Sequence, residues 1–437
     1  MRGVAGVHPL DAETVARLGW AAAQVLAGDR RDPSIRLLVG RDTRESGPWL
    51  EETLARGVSA AGATIVSAGI LPTPAVASLI GANGFDGGFV ISASHNPYQD
   101  NGIKLFLATG QKADDRVEGA IERLMSDATQ ARPASGRAPI AHDYAESYIE
   151  HILPVLPDPA RLAGLRIALD CANGATYRVA PEVFRRLGLD VTPVQASPDG
   201  QNINRGCGST APAHLVNIVR EGGFDLGVSF DGDGDRAILV DHRGVIVNGD
   251  GLLLACARHM KAAGRLPGNA VVATVMSNLG LELSLRKAGI DLVRCPVGDR
   301  FVTETMKERG LALGGEQSGH LVFADHRFTG DGLVTALRVL EVLADRGCTL
   351  ATVADELEVS PQVLVNVPVR VKRNLEEIEP VQAILTRIER ALADRGRLVV
   401  RYSGTESLLR VMLEGPDESL ITAWANEIAQ AVREHLG

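Results

Sequence analysis

Three aspartates alternate with glycines at Asp231, Asp233 and Asp235. Alternate side chains of an extended loop point the same way, so the three carboxylates are expected to converge. Two like charges about 4 Å apart repel by roughly 4 kcal/mol at an effective dielectric near 20, so the cluster requires a cation. An EF-hand also begins with alternating acids, but it needs Gly and Glu where this chain has Arg236 and His242. The segment therefore predicts a Mg²⁺ site, with an exposed acidic turn as the alternative.

Ser94 follows an apolar segment, residues 88–91, and precedes Asn96 and Pro97. Its neighbour His95 suggests a Ser–His nucleophile, but adjacent side chains seldom face each other, and no Gly-x-Ser-x-Gly motif surrounds the serine. A phosphorylated Ser94 suits the predicted metal site better, because a phosphoserine offers several acceptor oxygens. The alternative is an ordinary turn serine.

A third polar loop contains Glu316, Ser318 and His320 among glycines. A carboxylate, a hydroxyl and an imidazole suit the neighbouring hydroxyls of a sugar, and a histidine can exchange a proton near neutral pH. Lys104 is a second candidate for proton transfer near Ser94. Each of these two has a plainer alternative, a structural partner for His320 and an exposed cation for Lys104.

A fourth polar segment begins at the end of a predicted strand and contains Arg401, Ser403, Gly404 and Thr405, with Arg410 a few residues later. Arginine, two hydroxyls and a glycine amide can surround a phosphate dianion, and arginine can contact it through two parallel hydrogen bonds. The segment therefore predicts a phosphate-binding loop, and a plain serine–glycine turn is the alternative.

The elements before these loops repeat one pattern three times. Residues 36–66, 166–191 and 270–293 each read as an apolar strand, a polar loop, an amphipathic helix and a second strand, which is the βαβ unit. Each copy continues to a strand that runs into a loop at 92–98, 231–237 or 314–321. Ligands of such sheets bind beyond the carboxyl ends of the strands, so the loops are expected to face one cleft. A generic α/β protein shows the same alternation, which is the plainer explanation.

After residue 360 the pattern changes to strands at 363–369, 398–403 and 408–415 around helices at 375–393 and 419–435. The predicted fold class is therefore α/β, with three similar α/β domains and a smaller C-terminal α+β domain around a central cleft. Residues 128–141, rich in Ala, Arg, Pro and Ser, are expected to be a loop or linker. The predicted domains are 1–145 with the serine loop, 160–245 with the metal loop, 246–358 with the sugar-binding loop and 361–437 with the phosphate loop.

Composition limits the choice of partners. A net charge of −9 argues against a large nucleic-acid surface, and an aromatic content of 4% argues against base-stacking platforms. A nucleic-acid partner is therefore not expected. A membrane partner is not expected either, because no apolar run is long enough to span a bilayer. Five scattered cysteines without a C-x-x-C motif and a polar N-terminal segment favour a reduced, cytoplasmic setting.

These four loops, in this order, resemble the α-D-phosphohexomutase family over almost the whole chain. The resemblance implies a phosphoserine at Ser94 and one Mg²⁺ per chain, held by Ser94 together with Asp231, Asp233 and Asp235. It also implies sugar contacts in the third loop, through Glu316 and Ser318, and a phosphate site in the segment 401–405. A possible homodimer and activation by a bisphosphorylated sugar are further family properties.

Within the family, segments 92–97, 315–320 and 401–406 are most similar to the branch that interconverts glucosamine 6-phosphate and glucosamine 1-phosphate. The implied reaction is an isomerisation through a phosphoserine and a bisphosphate intermediate, which feeds UDP-N-acetylglucosamine synthesis. His320 is the preferred group for the hydroxyl proton, ahead of Lys104. The alternatives are a mutase for mannose and glucose phosphates and a homologue that binds sugar phosphates with impaired catalysis.

The chain departs from the family pattern in two places. The family usually opens with a strand and the motif Phe-Gly-Thr-Asp-Gly-Ile-Arg-Gly, whereas this sequence reads Met1, Arg2, Gly3, which predicts that the first strand is missing. Arg2 would then stand for the family's arginine near the phosphoserine. Ser407 also replaces a proline that commonly follows the glutamate, and this change is expected to be tolerated.

Overall fold

The computed structural model describes residues 1–28, 35–127, 136–403 and 407–437. The described residues form four sheets of six, five, four and three strands, and each sheet belongs to one domain. The first three domains share a continuous apolar core, whereas the buried residues of the fourth domain form a separate core between positions 367 and 436. None of the helices described is long and apolar enough to cross a membrane.

The first domain wraps four helices around a mixed sheet. Its strands are β1 (Arg2–Val4), β2 (Arg36–Arg41), β3 (Thr64–Ile70), β4 (Gly87–Ile91), β5 (Asp100–Leu107) and β6 (Ile140–Ala141). Its helices are α1 (Ala12–Ala27), α2 (Gly47–Ala60), α3 (Thr73–Ala82) and α4 (Asp115–Ser126). The strand order is β1-β5-β4-β2-β3-β6, and β5 runs antiparallel to β4.

The second domain follows a short helical connection. That connection consists of α5 (Ala145–Ile152) and two 3₁₀ turns (Leu153–Val155 and Pro159–Leu162). The elements of the domain are β7 (Arg166–Asp170), α6 (Val179–Arg186), β8 (Asp190–Val194), α7 (Ala213–Gly222), β9 (Leu226–Phe230), β10 (Ala237–Asp241) and β11 (Ile246–Val247). The strand order is β11-β10-β9-β7-β8.

The third domain contains the longest buried helix of the shared core. Its elements are α8 (Gly249–Ala262), a 3₁₀ turn (Pro267–Asn269), β12 (Ala270–Thr274), α9 (Leu279–Lys287), β13 (Asp291–Cys295), α10 (Asp299–Arg309), β14 (Leu313–Gly315), β15 (Leu321–Phe323), α11 (Gly332–Arg346) and α12 (Leu350–Ala354). The strand order is β13-β12-β14-β15. Twelve of the fifteen residues of α11 are buried, so this helix joins the second and third domains.

The three domains repeat one topology. The sets β2–β5, β7–β10 and β12–β15 each contain four strands, numbered here by their order along the chain. Across the sheet, the fourth strand of each set is followed by the third, the first and the second; the first three are parallel and the fourth is antiparallel. The third strand of each set, β4, β9 or β14, is buried along its whole length, as expected for strands covered on both faces. The hairpin after each third strand carries a predicted functional loop. The prediction of three similar α/β domains is confirmed.

The fourth domain is a three-stranded antiparallel sheet covered by two helices, in the order β16-β18-β17. Its elements are β16 (Gln362–Pro368), a 3₁₀ turn (Leu375–Glu377), α13 (Glu379–Leu392), a second 3₁₀ turn (Ala393–Arg395), β17 (Arg397–Tyr402), β18 (Leu408–Glu414) and α14 (Glu418–Leu436). The first long helix begins four residues later than predicted, because Asn374 caps a separate short turn and Pro380 occupies the first turn of α13.

Two local features were not expected from the sequence. Residues Arg2–Val4 form a strand, since β1 pairs antiparallel with β5 and Arg2 lies opposite Gly102. Three residues are too few to produce a periodic pattern, so the sequence did not reveal this strand. The expected linker at 128–141 also ends in a strand, because β6 pairs with β3, while residues 128–135 lie outside the described residues.

Candidate active site

Ser94 lies in the hairpin between β4 and β5, where it is 4% exposed. Its backbone is left-handed, with φ at 54°, a conformation that costs a non-glycine residue about 1–3 kcal/mol. Its hydroxyl donates a hydrogen bond of 2.7 Å to Oδ2 of Asp231. A serine from the first domain therefore reaches the acidic loop of the second.

The carbonyl oxygen of Ser94 is fixed from two sides. It accepts hydrogen bonds from Nη2 of Arg44 at 3.0 Å and from Nδ2 of Asn204 at 2.9 Å. Arg44 is itself buried and paired with Asp42 at 2.9 Å, and burial raises the pKa of Asp42 although Arg44 opposes that shift. The sequence reasoning missed these three residues. The available signal was that Asp42 and Arg44 directly follow the buried strand β2.

His95 lies closer to Ser94 than the sequence suggested. Its Nδ1 is 3.4 Å from the serine hydroxyl oxygen and 3.3 Å from Nη1 of Arg236. The left-handed turn at Ser94 brings the two successive side chains to the same side, which is unusual for neighbours in extended backbone. Burial, and then the charge of Arg236, lower the pKa of His95.

The three aspartates of the acidic loop are buried, with exposures of 0%, 1% and 6% for Asp231, Asp233 and Asp235. One ligand oxygen from each lies within 4.8 Å of the others. The Oδ1 atoms of Asp233 and Asp235 are buried without a hydrogen-bond partner among the described residues. Buried lone pairs left unused are costly, and hard oxygen ligands are what Mg²⁺ prefers. The cluster therefore fits Mg²⁺.

Nearby cations offset part of this negative charge. Nζ of Lys104 donates to Oδ2 of Asp233 at 2.5 Å, and Nε of Arg236 lies 3.8 Å from Oδ1 of Asp235. Burial alone would lower the pKa of Lys104, but the charges of Asp233 and Asp235 outweigh it and raise that pKa. Burial and the two neighbouring carboxylates raise the pKa of Asp231 well above its ordinary value.

The third predicted loop approaches the same aspartates. Nδ1 of His320, which is 4% exposed, lies 3.7 Å from Oδ2 of Asp235. Burial would raise the pKa of Asp235, but the hydrogen bond and charge of His320 hold it well below its ordinary value. In the same loop Ser318 Oγ donates to Glu316 Oε2 at 3.2 Å. The structure thus brings Glu316, Ser318 and His320 together beside the acidic loop.

Backbone contacts lock the loops of the first three domains to one another. The amide of Thr73, at the start of α3, donates to the carbonyl of Asp233 at 2.8 Å. The amide of Ala237 donates to the carbonyl of Gly319 at 3.1 Å. Gly319 has φ at 92°, and a Cβ there would lie 2.2 Å from the oxygen of Ala237, so only glycine permits this approach. The positions of the candidate catalytic side chains therefore follow from domain packing.

The predicted phosphate site occupies one end of the fourth domain's sheet. Arg401 on β17 lies directly opposite Arg410 on β18, and Nε of Arg401 is buried without a hydrogen-bond partner among the described residues. Burial, and then the charge of Arg410, lower the pKa of Arg401. Two adjacent arginines favour a bound anion. The predicted contacts Gly404 and Thr405 lie outside the described residues.

Ser403 is buried at the end of β17, and its carbonyl accepts a hydrogen bond of 2.6 Å from Nζ of Lys372. Lys372 was not identified from the sequence. It lies 31 positions from Ser403 in the chain, on the exposed connection after β16, so no local motif joins the two residues. This lysine adds a third cation to the arginine pair at this end of the domain.

A hydroxyl directed at a buried carboxylate cluster, with cations on both sides and three α/β domains around it, defines a phosphotransferase of the multidomain α/β class. Family models for phosphoglucomutase/phosphomannomutase match most of the chain, one after another: α/β/α domain I at residues 1–132, domain II at 146–244, domain III at 248–359 and the C-terminal domain at 364–431.

The chain is 49% identical to the phosphoglucosamine mutase of Deinococcus deserti, over 99% of this chain and 96% of that protein. It is 44% identical to the phosphoglucosamine mutase of Geotalea daltonii, over 100% of this chain and 97% of that protein. The phosphoglucomutase/phosphomannomutase family protein of Burkholderia thailandensis superposes with a TM-score of 0.81 at 25% identity, covering 99% and 96% of the two chains. The chain belongs to the α-D-phosphohexomutase family.

Proposed function

We propose that the chain is a phosphoglucosamine mutase, which interconverts glucosamine 6-phosphate and glucosamine 1-phosphate. The main supporting observation is the 2.7 Å hydrogen bond from Ser94 Oγ to Asp231, which places a hydroxyl at the edge of the carboxylate cluster. The choice of sugar is supported by relatives of that name that are 44–49% identical over nearly the whole chain.

In the proposed reaction, phospho-Ser94 transfers its phosphoryl group to a free hydroxyl of the sugar phosphate. The bond between phosphorus and the serine oxygen breaks and a bond to the sugar oxygen forms. The neutral form of His320 accepts the hydroxyl proton, and the released Ser94 oxygen takes up a proton that it gives up again when it is rephosphorylated. The resulting bisphosphate turns over in the cleft and returns its other phosphate to Ser94, which regenerates the phosphoserine. A bisphosphorylated sugar would phosphorylate Ser94 initially and so act as an activator.

The residues of the first two domains serve this transfer by position and charge. Arg44 and Asn204 hold the backbone of Ser94, so that its oxygen faces the aspartates. Ser94, Asp231, Asp233 and Asp235 would hold one Mg²⁺, which neutralises phosphoryl charge when bound. Nζ of Lys104 donates to Oδ2 of Asp233 at 2.5 Å, so this lysine acts as a fixed positive charge.

The third and fourth domains would hold the sugar phosphate at its two ends. Glu316 and Ser318 accept and donate hydrogen bonds to the sugar hydroxyls. The phosphate that is not being transferred binds to Arg401, Ser403, Gly404, Thr405 and Arg410. This assignment extends the predicted division of the chain, in which each domain contributes one loop to a common cleft.

A coupled assay with glucosamine 6-phosphate and Mg²⁺, run beside glucose and mannose 6-phosphates, tests the proposal. We expect the glucosamine substrate to give the highest kcat/KM. Intact mass should show one added phosphate in the wild type and in the control Ser126→Ala, and none in Ser94→Ala. Faster turnover of mannose or glucose phosphate would favour the other branch. A chain that never becomes phosphorylated, even with a bisphosphate activator, would refute the mechanism.

A further inference from the structure

The fourth domain is joined to the third through buried polar contacts, because its apolar core is separate. The central residue is Glu414, at the end of β18, which is 0% exposed. Its carboxylate accepts hydrogen bonds from Nε of Arg397 at 2.8 Å and from Nε2 of Gln362 at 3.0 Å, both within the fourth domain. It also accepts one of 3.1 Å from the amide of Leu279, the first residue of α9 in the third domain.

Arg397 and Ser360, which lies in the connection between the third and fourth domains, also contact the residues just before α9. Nη2 of Arg397 donates to the carbonyl of Ser277 in the third domain at 2.7 Å. Asn278, which caps α9, accepts from the amide of Ser360 at 2.9 Å and donates to its carbonyl at 3.0 Å. Contacts from two strands and from the connection therefore fix the fourth domain against the start of α9.

The same contacts continue to the sugar-binding loop. Oδ2 of Asp250, a residue with 0% exposure, accepts hydrogen bonds from the amide of Asn278 at 2.8 Å and from Nε2 of Gln317 at 3.2 Å. The amide of Gly249 also donates to the carbonyl of Gln317 at 2.9 Å. Gln317 lies between Glu316 and Ser318, so the junction connects both loops that would hold the sugar phosphate.

The length of the β17–β18 hairpin amplifies any small tilt at this junction. Arg397 lies opposite Glu414 at its base, and Arg401 lies opposite Arg410 near the phosphate-binding end. The four-residue separation corresponds to about 14 Å at ~3.4 Å per residue, so a tilt of about 5° at the base moves the arginines by about 1 Å. Displacements of that size can cost an enzyme roughly 10²-fold.

We infer that Glu414 and Arg397 are positioning residues that set the distance between the phosphate-binding hairpin and the sugar-binding loop. The inference rests on the proposed function. The two residues do not touch the substrate; they hold the domain that does. Removing the charge of Glu414 should therefore weaken substrate binding while leaving the transfer chemistry at Ser94 nearly intact.

The test is Glu414→Gln in the full-length, phosphorylated enzyme with Mg²⁺. Arg397 faces one carboxylate oxygen and the Leu279 amide faces the other, and neither group can accept a hydrogen bond. The glutamine NH₂ must therefore face one of these two donors and disrupt the junction. We expect KM to rise about ten-fold or more and kcat to fall by less than about three-fold, the signature of lost binding shared by ground and transition states. The amide of Leu279, which donates to the Glu414 carboxylate, should also exchange its hydrogen faster than in the wild type.

The matched control is Glu427→Gln, which breaks an exposed ion pair with Arg387 at 2.6 Å in the same domain and should leave both constants unchanged. If Glu414→Gln does not fold, Arg397→Lys decides by the same criteria. A folded variant with wild-type KM and wild-type exchange at Leu279 overturns the inference, as does a fall in kcat at constant KM. A wild type without mutase activity on any of the three hexose phosphates would instead refute the proposed function, and the exchange rate at Leu279 would then test the junction by itself.

Discussion

Two clusters in the described part of the chain each bring three possible metal ligands within 4.8 Å. One is the metal loop, defined by Asp231, Asp233 and Asp235. The other, the helix cluster, consists of His259 on α8 with Glu341 and Asp345 on α11. Proximity of ligand atoms therefore does not distinguish the two sites, although only the metal loop lies at the domain junction beside Ser94.

The clusters differ in how their oxygens are satisfied. In the helix cluster, Glu341 accepts hydrogen bonds from Arg265 at 2.9 Å and from Arg338 at 3.1 Å, and the half-exposed Asp345 pairs with Arg161. In the metal loop, two buried carboxylate oxygens have no hydrogen-bond partner among the described residues. The comparison teaches that unused buried lone pairs, rather than closely spaced acids, indicate a cation site.

The largest expected effect is on catalysis. Asp235→Asn should lower mutase activity by about 10³-fold or more, because one preorganised electrostatic contact of this kind is worth roughly 10²–10³-fold and metal binding is weakened as well. Glu341→Gln should stay within about three-fold of the wild type. The coupled assay at saturating Mg²⁺ measures both. Equal losses in the two variants would remove the functional distinction between the clusters.

The second-largest expected effect is a difference between the two clusters in Mg²⁺-dependent stability. Mg²⁺ at 100 times its Kd should raise the unfolding free energy of the wild type by about 2.7 kcal/mol. Glu341→Gln should keep this gain, and Asp235→Asn should lose most of it. Urea unfolding at several Mg²⁺ concentrations gives the free energies, and equilibrium dialysis with Mn²⁺ should give one ion per chain. Two bound ions, or a gain lost only in Glu341→Gln, would contradict the comparison.

The helix cluster should instead show a pH-dependent contribution to stability. Burial would raise the pKa of Glu341, but hydrogen bonds from His259 and Arg338 outweigh it and hold that pKa at about 2, below the ordinary 4.5. A lowered folded-state pKa stabilises the protein above pH 4.5, and this stability is lost as the pH falls towards 2. Because Arg265 is a third exposed, we expect about 1–2 kcal/mol after solvent screening.

Urea unfolding at pH 6 and pH 3 checks this value. The wild type should lose more stability than Glu341→Gln over this interval, by about 1–2 kcal/mol at most. The exposed substitution Glu427→Gln serves as the control and should follow the wild type. Identical losses in wild type and Glu341→Gln would show that the arginines do not stabilise the charged form.

The smallest expected effect is at the rim of the helix cluster. Asp345 and Arg161 are each 45% exposed, and exposed ion pairs contribute about 0–1 kcal/mol. Asp345→Asn should therefore change the unfolding free energy by less than about 0.5 kcal/mol, with or without Mg²⁺. A Mg²⁺-dependent loss of stability in this variant would indicate that Asp345 is a metal ligand after all.

The sequence was sufficient to predict the repeated α/β units and the four loops, because each depends on local patterns of apolar strands and short polar motifs. It did not reveal Arg44 or Asn204, which meet Ser94 from 50 and 110 positions away. The strand at Arg2–Val4 was also missed, since its pairing depends on β5. The third-loop and phosphate-loop assignments, including Glu316 and Arg401, remain predictions.

The amino-acid sequence by itself determined which chemical groups are available and in which order, since Ser94, the three aspartates and Arg401 each lie in a recognisable local motif. Only the tertiary structure decided which oxygens remain without a partner and which cations meet them. Those properties depend on contacts between residues far apart in the chain, such as Lys104 with Asp233, and they arise when the domains pack. Local motifs carry no information about such contacts, because packing is a property of the whole chain.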